Sequence, residues 1–239
     1  MTVTPYSSSQ SKKEQVRDMF NSISGKYDLL NRTLSMGIDR IWRSRVVKEL
    51  KKIQPKSLLD VATGTGDLIL AAAPTVQGQL IGLDLSPGML ELGQKKVDKS
   101  PFNQRIQMQV GDAEHLPFED DSFEIITCAF GVRNFENLQA GLKEFHRTLS
   151  PNGKAMILEF SRPSQGLLAA LFLFYFRHIL PRIGRLVSKD PAAYTYLPQS
   201  VAAFPDGEDF LNELRKAGFS NPHQHRMTLG VATLYIAEK

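Results

Sequence analysis

Short apolar runs alternate with segments of helical character between residues 57 and 161. Crossover helices are predicted near 67–74, 87–98 and 137–149. Because strands that alternate with helices pair in parallel, the chain is predicted to be an α/β protein. It should have a doubly wound, Rossmann-like sheet that is mostly parallel and binds ligands beyond the carboxyl ends of its strands. The predicted buried strands are 57–62, 79–86, 105–113, 122–130 and 153–161.

The N-terminal flank is helical in pattern. A helical period begins at Glu14, and a second helix is predicted over roughly 38–53. The stretch 25–37 between the two is rich in turn formers, and we interpret it as a lid or linker. The apolar residues of the first helix recur at i, i+3, i+4 and i+7, as Val16, Met19, Phe20 and Ile23.

Two features stand out after the fifth predicted strand. The apolar block 166–180 contains an uninterrupted run, 167–176, that is far short of the ~20 residues a membrane span needs. It is therefore expected to be a buried helix, a lipid-binding lid, or both. The chain then finishes with two runs about Gly230, which predict an antiparallel hairpin at one edge of the sheet.

The length of 239 residues suits one large domain. Cys128, the single cysteine, cannot form an internal disulfide, and no signal-peptide pattern opens the chain, so a cytoplasmic location is expected. Within the one domain we expect four parts. They are a helical lid (1–54), a ligand-binding core (55–161), an apolar insertion facing substrate or membrane (162–200), and a C-terminal helix with the edge hairpin (201–239).

Positive charge is concentrated at the N-terminal end. The chain carries a formal charge of +4, but residues 1–56 alone carry +7. Such a flank suits an anionic partner, either phospholipid or nucleic acid. A solvated helix surface explains the same charge without any partner.

The segment "DVATGTGD" (60–67) follows the first predicted strand and leads into a helix. Gly64 and Gly66 can adopt conformations closed to other residues and let a ligand approach the main chain, although a bare structural turn has the same pattern. Asp84 ends the second strand twenty residues after Gly64, where an acid bonds ribose hydroxyls. Asp112 closes the third strand, where it and the amide of Ala113 could bind an adenine edge, unless Asp112 is a turn cap.

The loop favours S-adenosylmethionine over a dinucleotide. A dinucleotide loop normally has a third glycine so that a phosphate can sit at the helix N-terminus, and Ile69 occupies that place. Asp67 would repel phosphates. The sulfonium and ammonium groups of S-adenosylmethionine are cations, which Asp60 and Asp67 would favour.

These motifs, with "GDA" at 111–113 and the terminal hairpin, resemble the class I S-adenosylmethionine-dependent methyltransferases. Two further stretches, 27–42 and 147–161, closely resemble the signatures of the ubiquinone/menaquinone biosynthesis C-methyltransferases, as does "FGVRNFEN" (130–137). The resemblance covers the chain from Val16 onward. It departs at Asp39, where many members have histidine, and Ala62 replaces the first glycine of the broader motif.

The resemblance implies methyl transfer to a ring carbon of a polyprenylated quinol. Demethylmenaquinol is the expected substrate, because the "TGTGD" and "GIDRIW" stretches look more like menaquinone-pathway members, and a benzoquinol is the alternative. The expected catalytic residues are Arg133, Asn134 and Tyr27, with Arg133 holding a developing phenolate. An arginine paired with a carboxylate at the sheet edge is the alternative for Arg133. The expected cofactor-binding residues are Asp60, Thr63, Gly64, Gly66, Asp84, Asp112 and Ala113.

The substrate also suggests where the protein works. A prenyl tail stays in the bilayer, so peripheral contact with the inner face of the membrane is expected, helped by the cations Arg177, Arg182, Arg185 and Lys189. No nucleic-acid partner and no metal are expected, and a homodimer is left open. The rival hypotheses are a Rossmann dehydrogenase, a nucleic-acid methyltransferase and a membrane-surface binding module without enzymatic activity.

Overall fold

The computed structural model of the protein describes residues 3–34, 37–163 and 192–239, together with Phe174 and Asp190. The apolar block 166–180, apart from Phe174, and the four cations after it lie outside the described residues. Within the described ranges, no helix is long and apolar enough to cross a bilayer.

One seven-stranded sheet organises the described chain, in the order β3-β2-β1-β4-β5-β7-β6. Strands β1 to β5 pair in parallel, and β7 runs antiparallel to both β5 and β6. The predicted fold class is therefore confirmed, including the terminal antiparallel pair. The strands are β1 (Ser57–Val61), β2 (Gln79–Asp84), β3 (Ile106–Val110), β4 (Phe123–Ala129), β5 (Leu149–Phe160), β6 (Ser220–Met227) and β7 (Ala232–Glu238).

The described helices flank the sheet and precede it. They are α1 (Lys12–Leu34), α2 (Ile38–Ile53), α3 (Asp67–Ala72), α4 (Pro87–Asp98), α5 (Leu138–Thr148), α6 (Ala192–Ala203) and α7 (Glu208–Lys216). Short 3₁₀ turns cover Ala73–Thr75, Val132–Asn134 and Thr228–Gly230.

Each face of the sheet is covered by its own set of helices, because side chains alternate between the faces along a strand. Leu58 of β1 points to one face and packs in a cluster with Val46 of α2. Leu59, the next residue, lies in the opposite cluster with Phe145 of α5 and Phe210 of α7. Both faces of the central strand β1 are therefore buried, which explains its nearly continuous apolar sequence.

Two local predictions were wrong. Of the two interpretations of the stretch 25–37, a lid or a linker, the linker was wrong, because Gly25 to Leu34 form the last part of α1. An exposed helical glycine costs only about 1 kcal/mol relative to alanine, and two contacts of the segment offset it: Tyr27 packs against the apolar cluster that includes Met89 of α4, and Asp28 accepts a hydrogen bond from Thr65. Strand β5 begins at Leu149 rather than at residue 153, and a register shift opposite Phe123 accommodates the turn-like residues in between.

Helix α1 lies across the carboxyl ends of the strands. Asn21 Oδ1 accepts hydrogen bonds from Ser86 Oγ (2.6 Å) and from the backbone N–H of Gly88 (3.0 Å) at the start of α4. Lys12 Nζ donates to the carbonyl oxygens of Arg133 (3.2 Å) and Phe135 (2.7 Å), after β4. The helix is thus fixed over the edge of the sheet where a doubly wound fold binds its ligands.

Candidate active site

A cleft with about 720 Å³ of empty space opens between α1 and the carboxyl ends of the parallel strands. Among the predicted site residues, those in its wall are Tyr27, Gly64, Asp84, Asp112, Ala113 and Asn134.

The loop after β1 presents bare backbone to this cleft. Gly64 and Gly66 have φ angles of 59° and 78°, in the left-handed region that favours glycine. A Cβ atom at Gly64 would meet no atom within 4 Å. A ligand can therefore approach the main chain at Gly64, as the sequence predicts.

Asp60 and Thr63 lie behind this loop rather than in the wall of the cleft. The Asp60 carboxylate is buried and accepts hydrogen bonds from Thr63 Oγ1 and Thr127 Oγ1, each at 2.6 Å. Burial raises the pKa of Asp60 to about 6, although the hydrogen bonds from the two hydroxyl groups lower it. Direct contact of either residue with a cofactor stays a prediction, and the geometry favours support of the loop instead.

Asp84 connects the glycine loop to the start of α4. Its Oδ2 accepts a hydrogen bond from the N–H of Gly64 (2.8 Å), and its Oδ1 accepts one from the N–H of Ser86 (2.8 Å). Burial raises the pKa of this carboxyl, while the backbone donors oppose the change by stabilising the ionised form. Each oxygen has a further lone pair, so the half-buried carboxylate can also accept hydroxyl groups from a ligand in the cleft.

Asp112 is bonded from two sides at the opposite wall. Lys13 Nζ of α1 lies 2.6 Å from Asp112 Oδ2, and the N–H of Glu114 donates to Oδ1 (2.9 Å). Burial raises the pKa of Asp112, but these two donors outweigh it and hold the pKa below its usual range. The sequence placed Asp112 and Ala113 at an adenine edge, and both line the cleft, with Lys13 as an additional partner.

Arg133 is buried and paired with a buried carboxylate. Its Nη1 lies 2.8 Å from Glu159 Oε1 and also donates to the carbonyl of Phe130. The side chain of Arg133 is 8% exposed and that of Glu159 is fully buried. The structure thus shows the alternative arrangement, in which Arg133 pairs with a carboxylate near the sheet edge. The catalytic role of Arg133 stays a prediction.

Aromatic rings surround this ion pair at the ends of β4 and β5. The rings of Phe130 and Phe160 lie 4.6 Å apart, and each lies 5.9 Å from Trp42. Phe130 lines the cleft and has a φ of 60°, an uncommon value for a bulky residue and one often found at functional sites. The Arg133 guanidinium lies 5.4 Å from the centre of the Phe160 ring.

Asn134 and Tyr27 contribute to the wall from opposite sides. Asn134, on the turn after β4, is 9% exposed, and its Nδ2 contacts the carbonyl of Phe130 at 3.4 Å. Tyr27 packs edge-on against Phe20, with ring centres 6.0 Å apart. The structure thus brings both residues to the cleft, as expected, although contact with a substrate stays a prediction.

A charged cluster attaches α1 to the glycine loop. Lys96 Nζ of α4 lies 2.5 Å from Asp28 Oδ2 and 2.7 Å from Asp67 Oδ1. Thr65 Oγ1, within the loop, donates to Asp28 Oδ1 (2.6 Å). Lys96, shared with Asp28, therefore compensates part of the charge of Asp67, so the predicted attraction of Asp67 for a cationic cofactor is weakened. Asp39 is similarly paired, with Arg43.

The residues present fit S-adenosylmethionine. Gly64 provides an open backbone, Asp84 provides a carboxylate for ribose hydroxyls, and Ala113 and Phe130 provide apolar wall.

The chain matches the model of the ubiE/COQ5 methyltransferase family over residues 8–239. A demethylmenaquinone methyltransferase of Bacteroides fragilis is 44% identical over 238 residues, covering 99% of this chain and 97% of that protein. The ubiquinone/menaquinone biosynthesis C-methyltransferase UbiE of Geotalea daltonii is 48% identical over 230 residues, covering 95% and 97%.

Solved structures agree in fold at low identity. A SAM-dependent methyltransferase from Aquifex aeolicus superposes with a TM-score of 0.59 at 17% identity, covering 82% of this chain and 88% of that one. Phosphoethanolamine N-methyltransferase 2 of Haemonchus contortus, solved with S-adenosyl-L-methionine, has a TM-score of 0.58 at 17% identity, covering 77% and 48%.

The sheet order, the glycine loop and the acid at the end of β2 are those of a class I S-adenosylmethionine-dependent methyltransferase, and the family match and the relatives confirm the predicted enzyme class and cofactor. The chain belongs to the ubiE/COQ5 methyltransferase family, which confirms the resemblance drawn from its motifs.

Sequence reasoning missed several residues that shape this site. Lys13 contributes only to the positive charge of the N-terminal flank in the sequence, and Lys96 has no distinguishing local pattern, because nothing nearby in the chain indicates their partners Asp112, Asp28 and Asp67. Glu159 gave a usable signal, an acid inside the apolar strand segment "AMILEF", since a charge in a buried strand requires a partner.

Proposed function

We propose that the chain transfers a methyl group to a ring carbon of a polyprenylated quinol, with demethylmenaquinol as substrate and menaquinol as product. The observation that carries this proposal is the 44% identity, over nearly the whole chain, with a protein named for that activity. The aromatic rings and polar groups after β4 support it, because they form a surface suited to a flat ring with two oxygens.

The chemistry requires the reduced form of the ring. S-adenosylmethionine, when bound, supplies an electrophilic methyl group. A quinone ring is too electron-poor to attack it, whereas a hydroquinone that loses an O–H proton pushes electron density onto its ring carbons. The residues around the ring must therefore position it, stabilise its phenolate and allow the ring proton to leave.

The cofactor end of the cleft is proposed to use four residues. Asp84 accepts the ribose hydroxyls, Gly64 lets the ligand approach the backbone, and Asp112 with the amide of Ala113 binds the adenine edge. Asp60, Thr63 and Gly66 hold the loop in its conformation, the first two through their mutual hydrogen bond.

The substrate end is proposed to use the residues after β4. Arg133, fixed by Glu159, stabilises the phenolate, and Asn134 bonds the second ring oxygen. Tyr27 closes the wall from α1, the helical lid of the single domain. A benzoquinol is the second candidate substrate, because the UbiE of Geotalea daltonii is named for both pathways and is 48% identical.

The protein is further proposed to work at the surface of an anionic membrane, since a long prenyl tail stays in the bilayer. Helix α2 supports this with exposed basic residues and with Ile41, which is 64% exposed. Each basic residue near an anionic surface contributes about 1 kcal/mol to binding. The exposed basic residues are Arg40, Lys48, Lys51 and Lys52.

Deletion of the gene tests the substrate. The lipid quinones of the deletion strain are extracted and identified by mass spectrometry. Accumulated demethylmenaquinone, reversed when the parent gene is restored, supports the proposal. Unchanged menaquinone would contradict it, and accumulation of a benzoquinone that lacks its ring methyl would favour the second candidate.

A further inference from the structure

Three buried side chains near the end of β5 each have a polar atom without a hydrogen-bond partner among the described residues. These atoms are Arg133 Nε, Asn134 Oδ1 and the Tyr196 hydroxyl. Tyr196 is 3% exposed and Asn134 is 9% exposed, so solvent does not satisfy them. An unsatisfied buried polar atom costs roughly 1–3 kcal/mol, and a cluster of three therefore requires an explanation.

The three atoms belong to one region. Arg133 and Asn134 are neighbours on the turn after β4, and α6, which carries Tyr196, packs against that turn. Phe160 lies next to both Tyr196 and Arg133, since it packs in the same apolar cluster as Tyr196 and lies under the Arg133 guanidinium. Burial raises the pKa of Tyr196 to about 12, while the charge of Arg133 lowers it and that of Glu159 raises it.

The ion pair with Glu159 explains why Arg133 keeps a free donor. Glu159 Oε1 engages Nη1 of the guanidinium, and Glu159 Oε2 accepts from the backbone N–H of Arg133 (3.3 Å). The guanidinium is thereby fixed through one of its nitrogens, and the Nε–H remains available. The amide of Asn134 is oriented in the same way, because its Nδ2 faces the carbonyl of Phe130 and leaves Oδ1 unpaired.

The set consists of two donors and one acceptor. The Tyr196 O–H and the Arg133 Nε–H can both donate, and Asn134 Oδ1 can only accept. The monoanion of a quinol has the complementary set, one oxyanion that accepts and one O–H that donates. An oxidised quinone offers two acceptors and no O–H, so it would leave Asn134 Oδ1 unpaired.

We infer that Tyr196 is a substrate-binding residue of this enzyme, whose hydroxyl donates to the ionising oxygen of the quinol together with Arg133 Nε, while Asn134 Oδ1 accepts from the second ring hydroxyl. This inference rests on the proposed function. It adds Tyr196 to the substrate-binding residues and explains why the site would bind the reduced ring rather than the quinone.

The variant Tyr196→Phe tests the inference, because it removes only the hydroxyl. The rate of single-turnover methylation of demethylmenaquinol should fall about 10- to 100-fold, since hydrogen bonds to charged groups are the strong ones. The acid limb of the pH–rate profile should move to higher pH, because a phenolate that has lost a donor forms less readily. The affinity for S-adenosylmethionine should not change.

Stability separates this role from a structural one. Because the hydroxyl has no partner in the described protein, Tyr196→Phe should be at least as stable as the parent in urea. The control is Tyr235→Phe, which also removes a buried hydroxyl, but one that accepts a hydrogen bond from the N–H of Gly207 (2.8 Å). The control should lose stability and keep the parent rate and pH profile.

The outcomes are distinguishable. A parent enzyme that methylates no quinol refutes the proposed function, and the Tyr196 inference with it. If the parent methylates demethylmenaquinol, and Tyr196→Phe has the same rate and the same acid limb of its pH–rate profile, only the inference is refuted. A Tyr196→Phe variant that unfolds more readily than the parent also refutes it, because the hydroxyl would then have a structural partner.

Discussion

Removal of Arg133 should destabilise the protein in a pH-dependent manner. In Arg133→Met the carboxylate of Glu159 stays buried without its ion-pair partner, because no part of that side chain is exposed. Breaking a buried pair in this way typically costs about 3–5 kcal/mol. Since a domain has only about 5–15 kcal/mol of stability, this is a large fraction of the total.

The pH dependence follows from the pKa of Glu159. Burial already raises this pKa in the parent, and the charge of Arg133 is the largest of the opposing contributions. Without Arg133, the pKa of the folded state rises further above that of the unfolded chain. Between those two pKa values the folded state binds the extra proton, so the free energy of unfolding of Arg133→Met should fall as the pH rises, by at most about 1.4 kcal/mol per pH unit.

Urea denaturation of the parent and of Arg133→Met at pH 5 and pH 8 measures both quantities. The double variant Arg133→Met/Glu159→Gln is the matched control, because it removes both charges and should recover part of the loss and most of the pH dependence. A loss below about 1 kcal/mol for Arg133→Met, with the same value at both pH values, would refute the buried pair. Such a result would be typical of a solvent-exposed ion pair.

Two further variants test the cofactor end of the cleft. Asp84→Ala should weaken S-adenosylmethionine binding by about 1–3 kcal/mol, measured by calorimetry, and an unchanged affinity would exclude contact between Asp84 and the ribose. Lys96→Met should speed dissociation of the cofactor in stopped-flow experiments, because it removes the bridge between Asp28 and Asp67 that attaches α1 to the glycine loop. Lys95→Met, which loses only an exposed pair with Glu91, is its control and should behave as the parent.

The parts of the fold set by local pattern were predictable. Helix α2 has the predicted bounds, Ile38–Ile53, because its apolar residues keep a strict helical period. Strands β1 to β4 follow from short apolar runs between turn formers. The glycine loop and Asp84 were also found, since both follow directly after strands and therefore reach the same edge of the sheet.

The parts of the fold that are set by contacts between distant residues were not predictable from the sequence. The turn formers around Gly25 indicated a linker, but Asp28 bonds Thr65 and Lys96, and these contacts keep the segment helical. Arg133 and Glu159 meet because β4 and β5 are neighbours in the sheet, and the chain order alone does not fix that pairing. Tyr196 depends in addition on how α6 packs on the turn after β4.

Methyl transfer to a ring carbon of the reduced quinol can be observed in a single turnover with S-adenosylmethionine that carries a CD₃ group. Demethylmenaquinol and its oxidised quinone are offered in parallel, the quinone under strictly non-reducing conditions, and the products are analysed by mass spectrometry. We expect the quinol to give a product whose ring carbon carries intact CD₃, and the quinone to give no product. Transfer to oxygen, equal turnover of the quinone, or no transfer to either would contradict this expectation.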